Sequence, residues 1–149
     1  VKQTEISAAE WNTCCAGFSR AHHGWLITLA RIATAELEAA PEQVETHWQV
    51  IADQVRFARL VVEEEGGHYD VVIQAGDGGA TIEHRASCVR SLFRLTVDGA
   101  HRGLRIDCGK HEEGESTFIW FRVPAAPEEL DDIASFELSS NPSTRSGID

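Results

Sequence analysis

Apolar and polar residues alternate most regularly between residues 91 and 123, and the alternation predicts three consecutive strands. Over 92–97, Phe93, Leu95 and Val97 fall on one side and Arg94, Thr96 and Asp98 on the other. Over 104–108, Leu104, Ile106 and Cys108 alternate with Arg105 and Asp107. Over 117–123 the pattern changes, because Phe118, Ile119, Trp120 and Phe121 are apolar in succession. That strand is expected to be covered on both faces.

Upstream, residues 6–24 read as an amphipathic helix. Trp11, Cys14, Cys15 and Phe18 follow at i, i+3, i+4 and i+7, forming one apolar stripe. Ser7 and Glu10 have capping-box spacing, Ile6 and Trp11 that of a hydrophobic staple. Arg20, His22 and His23 lie near the helix C-terminus, and Gly24 suits the position just beyond it. Residues 25–32 are rich in β-branched and aromatic side chains and predict a strand. Residues 34–41 form an Ala-rich connection with helical character.

Residues 42–65 admit two readings. As a helix, Val44, Trp48, Ile51, Val55, Ala58 and Val62 make a seam, with Pro41 at its first position. That leaves Val50, Phe57, Leu60 and Val61 off the seam. Two strands broken near Ala52–Gln54 account for more of the apolar residues and are the expectation here. Glu63–Gly67 and Gly76–Gly79 read as turns, with a strand over 68–74 between them and an edge segment over 81–85. Pro124 and Pro127 end the sheet, residues 128–134 form a short C-terminal helix, and 139–149 have the composition of a disordered tail.

At 149 residues, with 42% apolar and 25% charged residues, the chain fits one globular domain, taken as 1–138. No apolar run is long enough for a membrane helix, and no apolar stretch behind Lys2 resembles a signal peptide. The net charge of −11 repels phosphate backbones and anionic lipid, which argues against nucleic-acid and membrane partners. Cys14 and Cys15 are adjacent, a poor framework for a disulfide scaffold, so a reduced, cytoplasmic setting is expected. A Cys88–Cys108 bridge between neighbouring strands stays open.

The chemistry that can be sought is sparse. His84, Cys88, Cys108 and His111 have paired spacings of the kind that hold zinc, although His101 would substitute for either histidine. Buried thiols plus surface histidines explain the same residues without metal. Cys108 and His111 also form a possible nucleophile–base pair, with Asp107 or Glu112 to orient the histidine. The acids around Cys108 oppose thiolate formation, and only Lys110 favours it. Gly76-Asp77-Gly78-Gly79 lacks the lysine of a phosphate-binding loop. Glu63-Glu64-Glu65 and the acids at 112, 113 and 115 do not have calcium-loop spacing. Adjacent His22 and His23 point to different faces and read as a helix-end charge feature. Of the tryptophans, Trp11 and Trp120 belong in the core, whereas Trp48 is the one suited to a partner surface.

The order of features resembles a bacterial family known as domain of unknown function 5335. The resemblance is carried by Glu10-Trp11, Phe18-Ser19-Arg20, the strand from Trp25, Val44-Glu45 with Trp48, Val71-Val72-Ile73 and Ile82-Glu83-His84. It continues through Leu104-Arg105-Ile106 and 119–124, Ile-Trp-Phe-Arg-Val-Pro. It spans about residues 5–130. The chain departs from it in being longer between Glu36 and Leu60, and in carrying Arg85 where proline is common. The resemblance implies a small helix-plus-sheet domain and brings no activity, cofactor or catalytic residue.

Together these readings predict an α+β domain. An antiparallel sheet of about six strands carries an N-terminal amphipathic helix on one face and a short C-terminal helix. The expected function is non-catalytic: a small acidic protein-binding or self-associating module without a cofactor. The alternative is a zinc protein using His84, Cys88, Cys108 and His111.

Overall fold

A computed structural model describes residues 1–77, 79–110 and 113–123. The chain runs through β1 (Lys2–Glu5), α1 (Trp11–His22), β2 (Leu26–Ala33), α2 (Thr34–Ala39), α3 (Val44–His47) and β3 (Gln49–Glu65). It continues through β4 (His68–Asp77), β5 (Ala80–Ala86), β6 (Val89–Val97), β7 (Ala100–Cys108) and β8 (Glu115–Val123). The strands form one sheet in the order β1-β6-β7-β8-β2-β3-β4-β5. Every neighbouring pair is antiparallel. The α+β antiparallel expectation holds, but the sheet has eight strands rather than six. The unanticipated one is β1 at one edge; β5, at the other, is the edge segment expected over 81–85. The expected helix at 128–134, the tail at 139–149 and the two prolines that end the sheet lie outside the described residues.

The sheet is curled. β4 and β6 touch, although four strands, β7, β8, β2 and β3, separate them in the sheet order. The two-residue corner between β5 and β6 closes this gap, and Asp70 on β4 accepts the Cys88 amide there at 3.0 Å. Helix α1 packs on the enclosed face. Trp11, Cys15 and Phe18 join Ile27, Leu29, Phe57, Ile73, Leu104, Ile106, Ile119 and Phe121 in the main core. A residue pattern with period 3.6 thus meets strands with period 2, each contributing only its apolar side.

The helix entry differs from the expected capping box. Ser7 makes no side-chain cap. A 3-10 turn over Ala8–Glu10 precedes α1, so Glu10 is itself the helix N-cap rather than the third helical residue. The Trp11 indole N–H instead donates to the Ile6 carbonyl at 2.9 Å, tying the two staple residues together. At the other end Gly24 has φ 87, which lets the chain turn directly into β2. α1 also covers part of β3: the Ser19 hydroxyl accepts the Leu60 amide at 2.8 Å.

Residues 42–65 follow neither reading fully. Val44–His47 is a single helical turn, and β3 is one strand from Gln49 to Glu65. The expected break appears as a bulge: Gln54 has φ 54 and is skipped in the pairing, in which Val55 faces Ile27 and Asp53 faces Thr28. The bend lets the first half of β3 pair with β2 and the second half with β4.

Phe93 and Leu95 also differ from expectation. The main core takes Leu92 and Val89 from β6. Leu95 joins a smaller cluster on the opposite face with Ile32, Leu37 and Phe118. The connection through α2 and α3 lies over that face, which is why β8 is apolar on both sides.

Candidate functional site

Of the proposed zinc set, Cys88 and Cys108 lie beside one another, the Gly109 amide donating to the Cys88 carbonyl at 3.0 Å, but the described members do not form a cluster of three ligands. His84 is half-buried on the edge strand β5, and Cys88 is exposed at the β5–β6 corner with φ 56. Cys108 ends β7 half-buried against the core, and His111 lies outside the described residues. All four thiols are free. Among the described residues, the only cluster of three potential ligands is Glu65, His68 and Asp70. Asp70 is already matched there: it takes Arg85 at 2.8 Å and the Cys88 amide at 3.0 Å. The Cys88 amide, with Arg85 and His68 alongside, holds the Asp70 carboxyl below its ordinary range against the opposing effect of burial. A carboxylate so occupied has little left for a cation.

The thiol reading meets the same physics. Burial pushes the Cys108 thiol up to about 12, and Asp107 and Glu115 push it the same way. At neutral pH it is a thiol, which is a poor nucleophile. Cys15, buried on α1, is likewise raised to about 12.

The sequence gives little warning of the polar assembly on the outward side of β7. Arg105 and Asp107 look like solvent-facing residues by alternation, yet they are 8% and 3% exposed. The Arg105 guanidinium forks onto the Asp107 carboxylate at 2.8 and 2.9 Å and donates a further bond to Gln3 at 2.7 Å. Ser116 donates to Asp107 at 2.8 Å. Because its one proton is used there, the bond of 2.9 Å between Ser116 and Thr34 must be donated by Thr34. Arg90 stands 3.6 Å from the other Asp107 oxygen. Each residue thus has a fixed partner, and the network clamps β1, β7, β8 and the start of α2 together. The signal that was available is the Arg-x-Asp spacing: i, i+2 residues share a strand face and can pair.

The histidines form a second feature. His22 stacks on Phe121 at 4.4 Å between ring centres and on His101 at 5.1 Å. Phe18 lies edge-on to His101. Burial lowers His22 to about 4, outweighing its bond to the Phe18 carbonyl. Burial, with Arg94 adding to it, lowers His101 to about 4 as well. Both rings are neutral at neutral pH, so His22 is not the helix-end charge that its position suggested. His23 bonds the Ala58 carbonyl at 3.1 Å.

Trp48 lies half-buried over Phe118, 5.9 Å between ring centres, at the rim of the smaller cluster. Val50, two residues on, is 48% exposed. Val44, half-buried, completes an apolar strip from α3 into β3. Trp120, assigned to the core, is half-buried with the Arg102 guanidinium 5.2 Å above its ring. Trp11 is buried as expected.

No family model, no curated protein and no solved structure matches this chain.

Proposed function

We propose that the chain is a non-catalytic module that binds protein, a partner or a second copy, through the strip formed by Val44, Trp48 and Val50. The observation that carries this is the exposure of Val50 beside a half-buried tryptophan. Aromatic anchors at the edge of a packed cluster, with apolar neighbours left open, suit the centre of an interface. The other chemically interesting groups have internal uses: Arg105 and Asp107 neutralise one another, and Cys108 is held as a thiol. That leaves recognition as the function best supported.

Sedimentation velocity and crosslinking of the wild-type chain and of Val50→Glu test this. The expected result is association that increases with concentration, or capture of a defined partner, with loss of either in Val50→Glu. Identical behaviour of the two proteins would remove the strip from the interface.

A further inference from the structure

We propose that the cleft over the paired strands β1 and β6 binds a small organic anion, held by Arg94 and Lys2 with the hydroxyls of Thr4 and Thr96. This goes beyond the protein-binding strip, which lies on the opposite face.

The arrangement follows from register. Across the β1–β6 pair, Lys2 faces Thr96 and Thr4 faces Arg94. Directly opposed residues in an antiparallel pair share a face, and so do i, i+2 residues on one strand. The four side chains therefore form a two-by-two patch with a cation and a hydroxyl alternating in both directions. On its other flank Arg94 faces Leu104 of the main core, so the patch is on the side occupied by α1. All four residues line one open cleft of ≈ 570 Å³. That size accommodates a small organic molecule rather than a bare ion.

Charge is what distinguishes this cleft. The chain has 24 acids against 13 basic side chains, and at least five of its eleven arginines sit in ion pairs. Arg31, Arg85, Arg90, Arg105 and Arg122 each lie near a carboxylate. Among the described residues Arg94 has no carboxylate in ion-pair range; its guanidinium reaches only the Cys14 sulfur, at 3.8 Å. Lys2 likewise has no ion pair among them. Edge lysines commonly discourage strand addition, which accounts for Lys2 on β1. It does not account for Arg94, because β6 is paired on both sides at this position. A guanidinium presents a planar fork that matches a carboxylate or a phosphate. Asp98 stands at the rim of the same cleft and disfavours ligands of high negative charge. A single anionic head on a small organic body fits best.

The test is an amide NMR titration of the full chain with succinate monomethyl ester and, separately, with phenyl phosphate, alongside the rate of Cys14 alkylation. Saturable shifts at Thr4, Arg94 and Thr96, with slower alkylation of Cys14, are expected from at least one probe. The probe that binds more tightly identifies the head group as carboxylate or phosphate. Arg94→Gln should weaken binding about tenfold or more, the usual scale for losing charge-assisted hydrogen bonds. Arg94→Lys, which keeps charge without the fork, should fall between. Arg94 is exposed, so both variants should stay folded, as an unchanged amide spectrum elsewhere would verify. Absence of saturable shifts with both probes overturns the proposal. So does binding that Arg94→Gln leaves unchanged.

Discussion

On the inward side of β7 and β8, Leu104, Ile106, Ile119 and Phe121 are at most 2% exposed and belong to the main apolar cluster. On the outward side, Arg105, Asp107, Ser116, Thr117's neighbour Phe118 and the start of α2 at Thr34 are also buried. The first side excludes water with apolar surface alone. The second does so around an ion pair, two hydroxyls and an amide, each given a partner. Burial on the inward side is therefore tolerant of small changes in shape. Burial on the outward side depends on complete pairing, since removing one member leaves another charged group without solvent or partner.

The largest expected effect is on that second side. Asp107→Ala leaves Arg105 buried and uncompensated and should cost about 3–5 kcal/mol in urea unfolding. The double variant Arg105→Met/Asp107→Leu should recover most of this, because a well-packed apolar pair can replace a buried ion pair. A single-variant loss below about 1 kcal/mol would mean that the outward side is effectively solvated. On the inward side Ile106→Ala should cost about 2–5 kcal/mol, from lost transfer energy and the cavity left behind. There a second apolar truncation beside it should bring no recovery.

The inward side has its own titratable groups, handled differently. His22 and His101 are half-buried and neutral, at about 4 against an ordinary 6.5. A lowered folded value means that the unfolded chain takes up protons first. Stability is then complete above pH 6.5 and declines as pH falls towards about 4. The loss should be on the order of 2 kcal/mol for each ring. Replacing both by Phe should flatten that stretch of the stability–pH curve; an unaltered slope would assign the loss elsewhere. Asp70 acts in a separate window. Its folded value lies below 3.8, so its contribution is present above that pH and disappears only in stronger acid. The smallest effect is at the rim of the outward cluster, where Val50→Glu should change stability by no more than about 0.5 kcal/mol while altering association.

The turns and the central strands were legible because their chemistry is local. Gly66 and Gly67 both adopt positive φ, and Leu104, Ile106 and Cys108 of β7 alternate without ambiguity. α1 was legible from Trp11, Cys15 and Phe18. β1 was not, because Lys-Gln-Thr-Glu has no apolar periodicity and all four residues are exposed; only the pairing with β6 makes it a strand. The α3 turn was hidden because Val44 and Trp48 suit a helix while Trp48 and Val50 suit a strand, and both patterns are used in succession. The outward network was hidden for a more general reason. Alternation identifies which residues share a face, but it does not say what lies over that face. Alternation places Arg105 and Asp107 on the correct side, but the groups that cover them there, Gln3, Ser116 and the Phe93 ring, come from other strands. The cleft residues Lys2, Thr4, Arg94 and Thr96 were equally unreadable as a group, since they are brought together by register alone.

Gly103 has a similar dependence on distant structure, because a side chain there would collide with the Ile119 carbonyl of β8. β1 has another such dependence. Lys2 pairs with Thr96, so the first strand cannot find its place until β6 has left the ribosome. At roughly 5–20 residues per second, this leaves it waiting for several seconds. Its docking closes one of the longest loops in the molecule, a step that is slow on entropic grounds. The anion cleft therefore does not exist until the chain has been made as far as Gly99. An anion bound there would hold β1 against β6.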